Sequence, residues 1–402
     1  MAEIKVLTLN VWGLLYISKD VEERMDALAE ELKNGEYDII ALQEVWVYRH
    51  FELICAKTKH VYPYCHYFHS GFLGSGCASL SRYPIIDTFF IQYKYGGNFW
   101  NVFYGDWFAG KGLGCILIQH PLKEIYVFNT HLHASYPNDS FKECRTLQLY
   151  QTTQILKHMT RPNDAVIFCG DFNHTPDEIG IKALSLLTNL SDTYDIASSK
   201  ISLCHTINPL SNSYLSSEEI PSRIDYTFVS KHFQCTRCDL AMQKIPGKSI
   251  NFSDHEGYAT TLIFDPKVDS VENLENPTYY NMLKTLHKVI MEGELRANKV
   301  HRRKIGLVIL LVLFVFMPII FTDIFCSIFP SISTFSGKIV FIVQIVSAIF
   351  CTAYAWIVIV LRRIDSNSFK DVMLEIHSKI MTIEKNNINI VSMETSNSKK
   401  YH

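Results

Sequence analysis

The 402-residue sequence predicts an α/β protein that ends in a membrane-embedded pair of helices. Three observations carry that reading. Through residue 265, short runs rich in β-branched and aromatic residues alternate with helical patterns. Two apolar runs, 305–322 (IGLVILLVLFVFMPIIFT) and 339–361 (IVFIVQIVSAIFCTAYAWIVIVL), contain no charged residue, and each approaches the roughly 20 residues that a spanning helix needs. Polar side chains recur where the strand-like runs end.

The strand-like runs are IKVLTLNVW, DIIALQE, CILIQ, IYVFNTHLH, DAVIFCGDF, RIDYTFVS and GYATTLIF. Between the first two, residues 20–35 space Val21, Met25, Leu28 and Leu32 on one helical face, with Asp20 as N-cap and Gly35 as the stop. Residues 141–159 form a second amphipathic helix. The expected division is a catalytic domain at 1–266, a linker with a juxtamembrane helix at 267–304, two spans at 305–361, and a tail with a further helix at 362–402. Pro318 permits a kink in the first span. Leu283, Leu286, Val289 and Ile290 before the spans, and Phe369, Val372, Met373, Ile376 and Ile380 after them, form apolar stripes that are expected to pair.

With 48% hydrophobic and 19% charged residues and a net charge of −2, the chain has no basic excess of the kind a polyanion binder displays, which argues against a nucleic-acid partner. Its eleven cysteines are odd in number and scattered, as reduced thiols are; Cys235 and Cys238 have C-x-x-C spacing without two further ligands nearby. Lys299, Arg302, Arg303, Lys304, Arg362 and Arg363 flank the spans, whereas the segment between them carries only Asp323 and Lys338. The positive-inside bias then places both flanks, and the large N-terminal part, in the cytosol. The start, MAEIKVLTLNVWG, reads as a strand rather than a signal peptide. Sequons at Asn138, Asn173, Asn189 and Asn251 would expose the site to glycans in a lumenal location.

The strand-end residues share one chemistry. FCGDFNHTP sets Asp171 and Asn173 two apart at the exit of a buried strand, where both would face one point; a turn satisfied by its own Asp and Asn is the plainer alternative. Glu44 and Asn10 are hard oxygen donors suited to Mg²⁺, with Mn²⁺ an acceptable substitute. His255 can take a proton near neutral pH, and Asp225 could fix its tautomer. Asp171 and Asn173 would orient a water, and His131 would stabilise charge on phosphate oxygens. Asp254 adjoins His255. Together they describe metal-assisted phosphodiester hydrolysis.

TLN, QE, THLH, GDFN, RIDY and SDHE occur in the order of the endonuclease/exonuclease/phosphatase superfamily, which the chain resembles across roughly residues 4–265. Within it, NVWG, LQEVW, HSGFLGSG and GDWFAGKGLG look like the neutral sphingomyelinases, and a C-terminal hairpin resembles their membrane-bound type. The resemblance implies a deoxyribonuclease I-like four-layer α/β sandwich of two mixed sheets with the site at one end. It implies Glu44 as principal Mg²⁺ ligand beside Asn10 and His255 as general base, and it matches His131, Asp171, Asn173, Asp225 and Asp254 to the remaining polar positions. GDWFAGKGLG satisfies G-x-x-x-x-G-K, but Gly112 stands where a nucleotide P-loop needs Ser or Thr, and a strand follows instead of a helix. The resemblance instead assigns Asp106 and Lys111 to control of access to the site.

Residues 95–108 concentrate Phe99, Trp100, Phe103, Tyr104, Trp107 and Phe108, which suit core packing or a surface for a quaternary ammonium group. The expected activity is Mg²⁺-dependent, phospholipase C-type hydrolysis of sphingomyelin to ceramide and phosphocholine, extending to choline lysophospholipids, at the endoplasmic reticulum, another endomembrane or the plasma membrane. A membrane-tethered nuclease or phosphoinositide phosphatase is the alternative.

Overall fold

A computed structural model describes residues 1–100, 105–136, 141–216, 220–268, 277–328 and 333–398, without some side chains in 314–341 and beyond 385. It has two compact units, 1–286 and 287–402.

All seven expected strands are present: β1 (Ala2–Asn10), β2 (Ile39–Gln43), β6 (Gly112–Ile118), β7 (Ile125–His131), β8 (Ala165–Asp171), β11 (Asp225–Val229) and β13 (Gly257–Phe264). The sheets also use six strands that the sequence hides: β3 (Tyr64–Tyr67), β4 (Ala78–Ser81), β5 (Ile85–Gln92), β9 (Ser191–Asp192), β10 (Ser199–Lys200) and β12 (Phe233–Ala241). Several are short or stand at sheet edges, where half-exposed positions erase the apolar signature. One sheet runs β10-β12-β13-β1-β2-β4-β3 and the other β5-β6-β7-β8-β11-β9. Each mixes parallel and antiparallel pairs, with β1 parallel to β2 and β7 parallel to β8.

Period-two alternation builds the layers. Ile4, Val6, Ile39 and Ala41 face Ile116, Val127, Ile167 and Cys169 between the sheets. Their neighbours Leu7, Leu9, Ile40 and Leu42 face outward, onto Met25 and Leu28 of α1 (Val21–Leu32) and Ile54 of α2 (Tyr48–Thr58). On the far side Phe128, Phe168 and Phe228 pack on Leu149 and Leu156 of α3 (Lys142–Met159) and Leu184 of α4 (Ile179–Thr188). A turn α5 (Thr193–Ile196) completes the unit. This is the expected four-layer sandwich. β2 is buried on both faces because helices cover its sheet.

Asp20 does not cap α1 through its side chain. Its backbone is left-handed, φ 51°, its carbonyl accepts the N–H of Arg24 at 2.9 Å, and its carboxylate takes the Tyr214 hydroxyl at 2.9 Å. Gly35 stops the helix as expected, with φ 67°. The amphipathic helices and the apolar runs that adjoin them are not separate helices. α6 (Pro277–Ile328) and α7 (Ser333–Ser398) are each continuous, because nothing helix-breaking separates the polar from the apolar part. Within the second unit the two helices run antiparallel: His301 Nε2 lies 2.8 Å from Asp365 Oδ2, Ser366 Oγ donates to Glu294 at 3.4 Å, and the rings of His287 and His377 are 6.2 Å apart. Ile342–Lys385 is the one described segment long and apolar enough to cross a membrane, with a mean hydropathy of 2.1 and 11% of its apolar window buried. The first expected span lies on α6, where many side chains fall outside the described residues.

Candidate active site

Strand parity aims the polar residues inward. On β1 the inward series Ile4, Val6, Thr8 ends in Asn10; on β7 Val127 and Asn129 lead to His131; on β8 Ile167 and Cys169 lead to Asp171; on β11 Val229 and Thr227 lead back to Asp225. Register sets Asp171 directly between His131 and Asp225. Just below, Gln43 Nε2 donates to Asn129 Oδ1 at 2.7 Å across the sheets, and Asn129 Nδ2 donates to Leu42 O and Ala78 O, both at 3.0 Å. These bonds lock the two sheet ends together.

Glu44 has the wrong parity for the inner face. It follows the inward Gln43, and a left-handed backbone, φ 59°, lets its carboxylate meet Asn10, whose Nδ2 donates to Glu44 Oε1 at 3.1 Å and to Asp171 Oδ2 at 2.9 Å. Asn10 Oδ1 meanwhile accepts the Trp12 N–H at 3.0 Å. In this orientation Asn10 bridges two carboxylates, and a half-turn of its amide would present the oxygen instead.

Asp171 and Asn173 differ from the shared strand face that sequence spacing suggests. β8 ends at Asp171, Asn173 adopts φ 49°, and Asp171 Oδ1 accepts the Asn173 N–H at 2.9 Å. The segment is an Asx-type turn that also lines the cleft. His255, on the approach to β13, bonds Asp225 Oδ2 through Nδ1 at 2.9 Å and holds Nε2 3.9 Å from Asp171 Oδ2. Asn10, Glu44, His131, Asp171, Asn173, Asp254 and His255 line one cleft of about 570 Å³, to which Tyr136 and Glu178 also contribute. Asp225 stands behind His255.

Lys111 and Asp106 flank His131. Lys111 Nζ lies 2.5 Å from Asp106 Oδ1, 3.0 Å from His131 Nε2 and 3.0 Å from Leu132 O, and the Tyr136 hydroxyl donates to the other Asp106 oxygen. The glycine loop is a packing device here: a Cβ on Gly110 would sit 2.5 Å from the backbone N of Gly71. Phe99, Trp100, Trp107 and Phe108 pack on one another with ring centroids 4.7–5.7 Å apart, while Phe103, Tyr104 and Asn138 lie outside the described residues.

Burial raises Asp171 to about 7, with the charge of Asp225 adding to it, and burial together with Glu44 raises Asp254 to about 6. Burial would lower His255, but Asp225, Asp171 and Asp254 outweigh it, so its imidazolium persists well above the usual range. Burial and the adjacent Lys111 ammonium hold His131 neutral. Burial opposes ionisation of Asp106, yet Lys111 keeps it far below the usual carboxylate range. The cleft therefore has an excess of crowded carboxylate oxygens. A hard divalent cation fits that donor set. Asp171, Asp225 and His255 also present ligand atoms within 4.8 Å of one another, but His255 Nδ1 and Asp225 already bond each other, an arrangement that suits proton transfer.

Sequence reasoning missed Arg24. Its guanidinium is fully buried under the rings of Trp12 and Tyr214 and donates to the carbonyls of Val11 at 2.7 Å, Trp12 at 2.6 Å, Lys19 at 2.9 Å and Phe252 at 2.9 Å. It fastens the loop after Asn10 to the loop that carries Asp254 and His255. The signal was present: Arg24 sits on the apolar face of α1, between Val21 and Met25.

A two-sheet sandwich whose inward strand ends gather two histidines and several carboxylates is the frame of a phosphodiesterase-type hydrolase. The chain belongs to the endonuclease/exonuclease/phosphatase family, whose profile matches residues 7–255. A Drosophila melanogaster protein with the provisional name neutral sphingomyelinase is 36% identical over 270 residues, 65% of this chain and 61% of that protein. The inositol phosphosphingolipids phospholipase C of Saccharomyces cerevisiae is 30% identical over 66% of this chain and 65% of its own length. The chain thus spans somewhat less than two thirds of these relatives. In fold it is similar to a beta toxin variant from Staphylococcus aureus with bound magnesium ions, with TM-score 0.51 and 20% identity over 64% of this chain and 99% of the toxin.

Proposed function

We propose that this chain is a membrane-associated, divalent-cation-dependent phospholipase C acting on phosphosphingolipids, with sphingomyelin as the expected substrate and Mg²⁺ as the expected cation. The Asp225–His255 pair carries the reading, because it ends in a free Nε2 that faces the acidic cleft. Two relatives from different kingdoms support the lipid class, since both are named for phosphosphingolipid cleavage and differ in the head group.

In this reading His255 acts as the neutral imidazole, the form favoured once a divalent cation offsets the carboxylates around it, and its Nε2 takes a proton from the water whose oxygen bonds to phosphorus. The P–O bond to the ceramide breaks, and the ceramide oxygen takes up a proton. Asp225 holds the imidazole tautomer and stabilises the imidazolium. Asp171 and Asn173 orient the water, and neutral His131 faces the phosphate oxygens. Glu44, with Asn10 beside it, would hold the cation, which when bound polarises a phosphoryl oxygen as a Lewis acid. Asp106 and Lys111 bear on the site through His131. The apolar segment of α7 fits an integral membrane protein, and the charge flanking the spans fits a cytosolic catalytic domain, at the endoplasmic reticulum, another endomembrane or the plasma membrane.

The full-length protein, purified in detergent, is to be assayed with Mg²⁺ on sphingomyelin, inositol phosphoceramide, phosphatidylcholine, a choline lysolipid and DNA. Cleavage of either sphingolipid, reduced about 10²- to 10⁴-fold in His255→Ala, is expected. Cleavage of DNA alone would overturn the reading in favour of a tethered nuclease.

A further inference from the structure

Three loops leave the strand ends that carry the site. Residues 11–20 follow Asn10 directly. Residues 68–77 join β3 to β4 at the edge where Leu42 pairs with Ala78, beside Glu44. The third, around residues 201–222, is closed by the Thr206 N–H to Ser222 O at 2.9 Å and bridges His255 through Ile207. All three therefore lie at the end of the sandwich where the cleft opens, and the third contributes Ile207 and Ser222 to its lining.

Their composition is unusual for surface loops. In a chain with 19% charged residues, the stretches 9–18, 60–81 and 201–217 contain no Asp, Glu, Lys or Arg. Each described tip instead presents a large apolar side chain to solvent: Tyr16 is 101% exposed, Phe72 87% and Leu210 83%. Single exposed apolar residues are ordinary, but three on charge-free stretches at one end of the sandwich are not. The opposite end of the sandwich lacks this pattern, for Leu122 in the β6–β7 turn is 45% exposed and has Lys123 and Glu124 beside it.

We propose that these three tips form a docking surface for the neutral head-group layer of a zwitterionic bilayer, into which Tyr16, Phe72 and Leu210 insert around the mouth of the cleft. The inference rests on the lipid reading above and adds the surface that would meet the lipid. Charge-free stretches at the tips match a leaflet without net charge, and aromatic rings with a polar atom or edge favour the membrane interface. A protein interface would instead be expected to join its apolar core into one patch inside a polar rim, whereas here three separate points stand around an opening. The chain also carries its own apolar segment within Ile342–Lys385, consistent with a bilayer as its working surface.

The test uses the full chain reconstituted in phosphatidylcholine–sphingomyelin nanodiscs, with one environment-sensitive fluorescent amino acid at position 16, 72, 210 or 122. Quenching by lipids labelled near the head group is expected at 16, 72 and 210 and not at 122. In parallel, the combined variant Tyr16→Ser, Phe72→Ser, Leu210→Ser should lose about tenfold or more of its turnover on bilayer sphingolipid, while its turnover of a short, water-soluble nitrophenyl phosphodiester of choline is retained. Absence of quenching at the three tips, quenching equal to that at position 122, or equal loss on both substrates would overturn the proposal. Quenching does not depend on hydrolysis. Quenched tips on a protein that cleaves no sphingolipid would therefore refute the proposed activity and leave the docking surface standing.

Discussion

Asp171, Asp254 and His255 share one electrostatic fault at the residue scale, which is that the folded protein holds protons that water would remove. Asp171 near 7 and Asp254 near 6 lie above their ordinary 3.8, so between these values the folded chain binds more protons than the unfolded one, and stability falls as pH rises. His255, raised above 6.5, stabilises the fold fully below that value and loses its contribution as pH climbs through its folded pKa. All three act in one direction. Buried His131, His133 and His174, held neutral, act the other way below 6.5. Above that value the cation-free protein should therefore melt at lower temperature at about pH 8 than at about pH 7, and Mg²⁺ should raise the melting temperature more at the higher pH. Glu44→Gln should remove most of that Mg²⁺ response, because an amide binds a hard cation less well than a carboxylate. Calorimetry with and without chelator checks this, and a wild-type response in the variant would strike Glu44 from the cation site.

At the scale of elements, the spacing of β7 and β8 sets the distance from His131 to Asp171, 3.5 Å between Nε2 and Oδ2. Gly170 makes the approach possible. Its φ of 146° is uncommon for residues with side chains, and a Cβ there would sit 2.1 Å from the carbonyl oxygen of Thr130, a backbone atom that cannot swing aside. Gly170→Ala should cost about 2–4 kcal/mol of stability and displace Asp171 from His131, so that turnover falls more than the loss of folded protein explains. Urea melts read beside the activity per folded molecule test this. Unchanged values in both would mean that the strands part without consequence. Arg24 plays the equivalent part for loops, since four carbonyls from two loops converge on one guanidinium.

For the whole molecule, the second unit is held by an antiparallel α6–α7 seam, with His301 against Asp365 and Glu294 against Ser366. The apolar stripe of α7 is buried at Phe369, Val372, Ile376 and Ile380, and Ile290 of α6 is buried as well. Cysteines replacing Glu294 and Ser366, in a background without native cysteines, should be joined within one chain by a short bis-maleimide in membranes. A pair at Glu294 and Leu374, which is 69% exposed, should react poorly. Equal yields from both pairs would show that the seam is not fixed.

The sequence by itself determined the seven central strands, the amphipathic face of α1 and α3, the apolar character of the segment within Ile342–Lys385 and seven polar residues of the cleft, though not Tyr136 or Glu178. Each is a local fact, written in the period of apolar residues or in the type of side chain at a strand end. Tertiary structure decided what no local pattern encodes. Strands such as β5, at a sheet edge, and β12, next to one, exist because a neighbour offers a ladder, and their half-exposed faces leave no clean alternation. Asn173 left the strand because Asp171 captured its N–H, and Glu44 reached the inner face only through a left-handed backbone. Arg24 reads as one more helix residue until the loops around it fold. The raised Asp171 and His255 depend on burial and on the charge of Asp225 brought from a distant strand, so their proton affinities belong to the assembled cleft, where burial removes the water that would otherwise screen them.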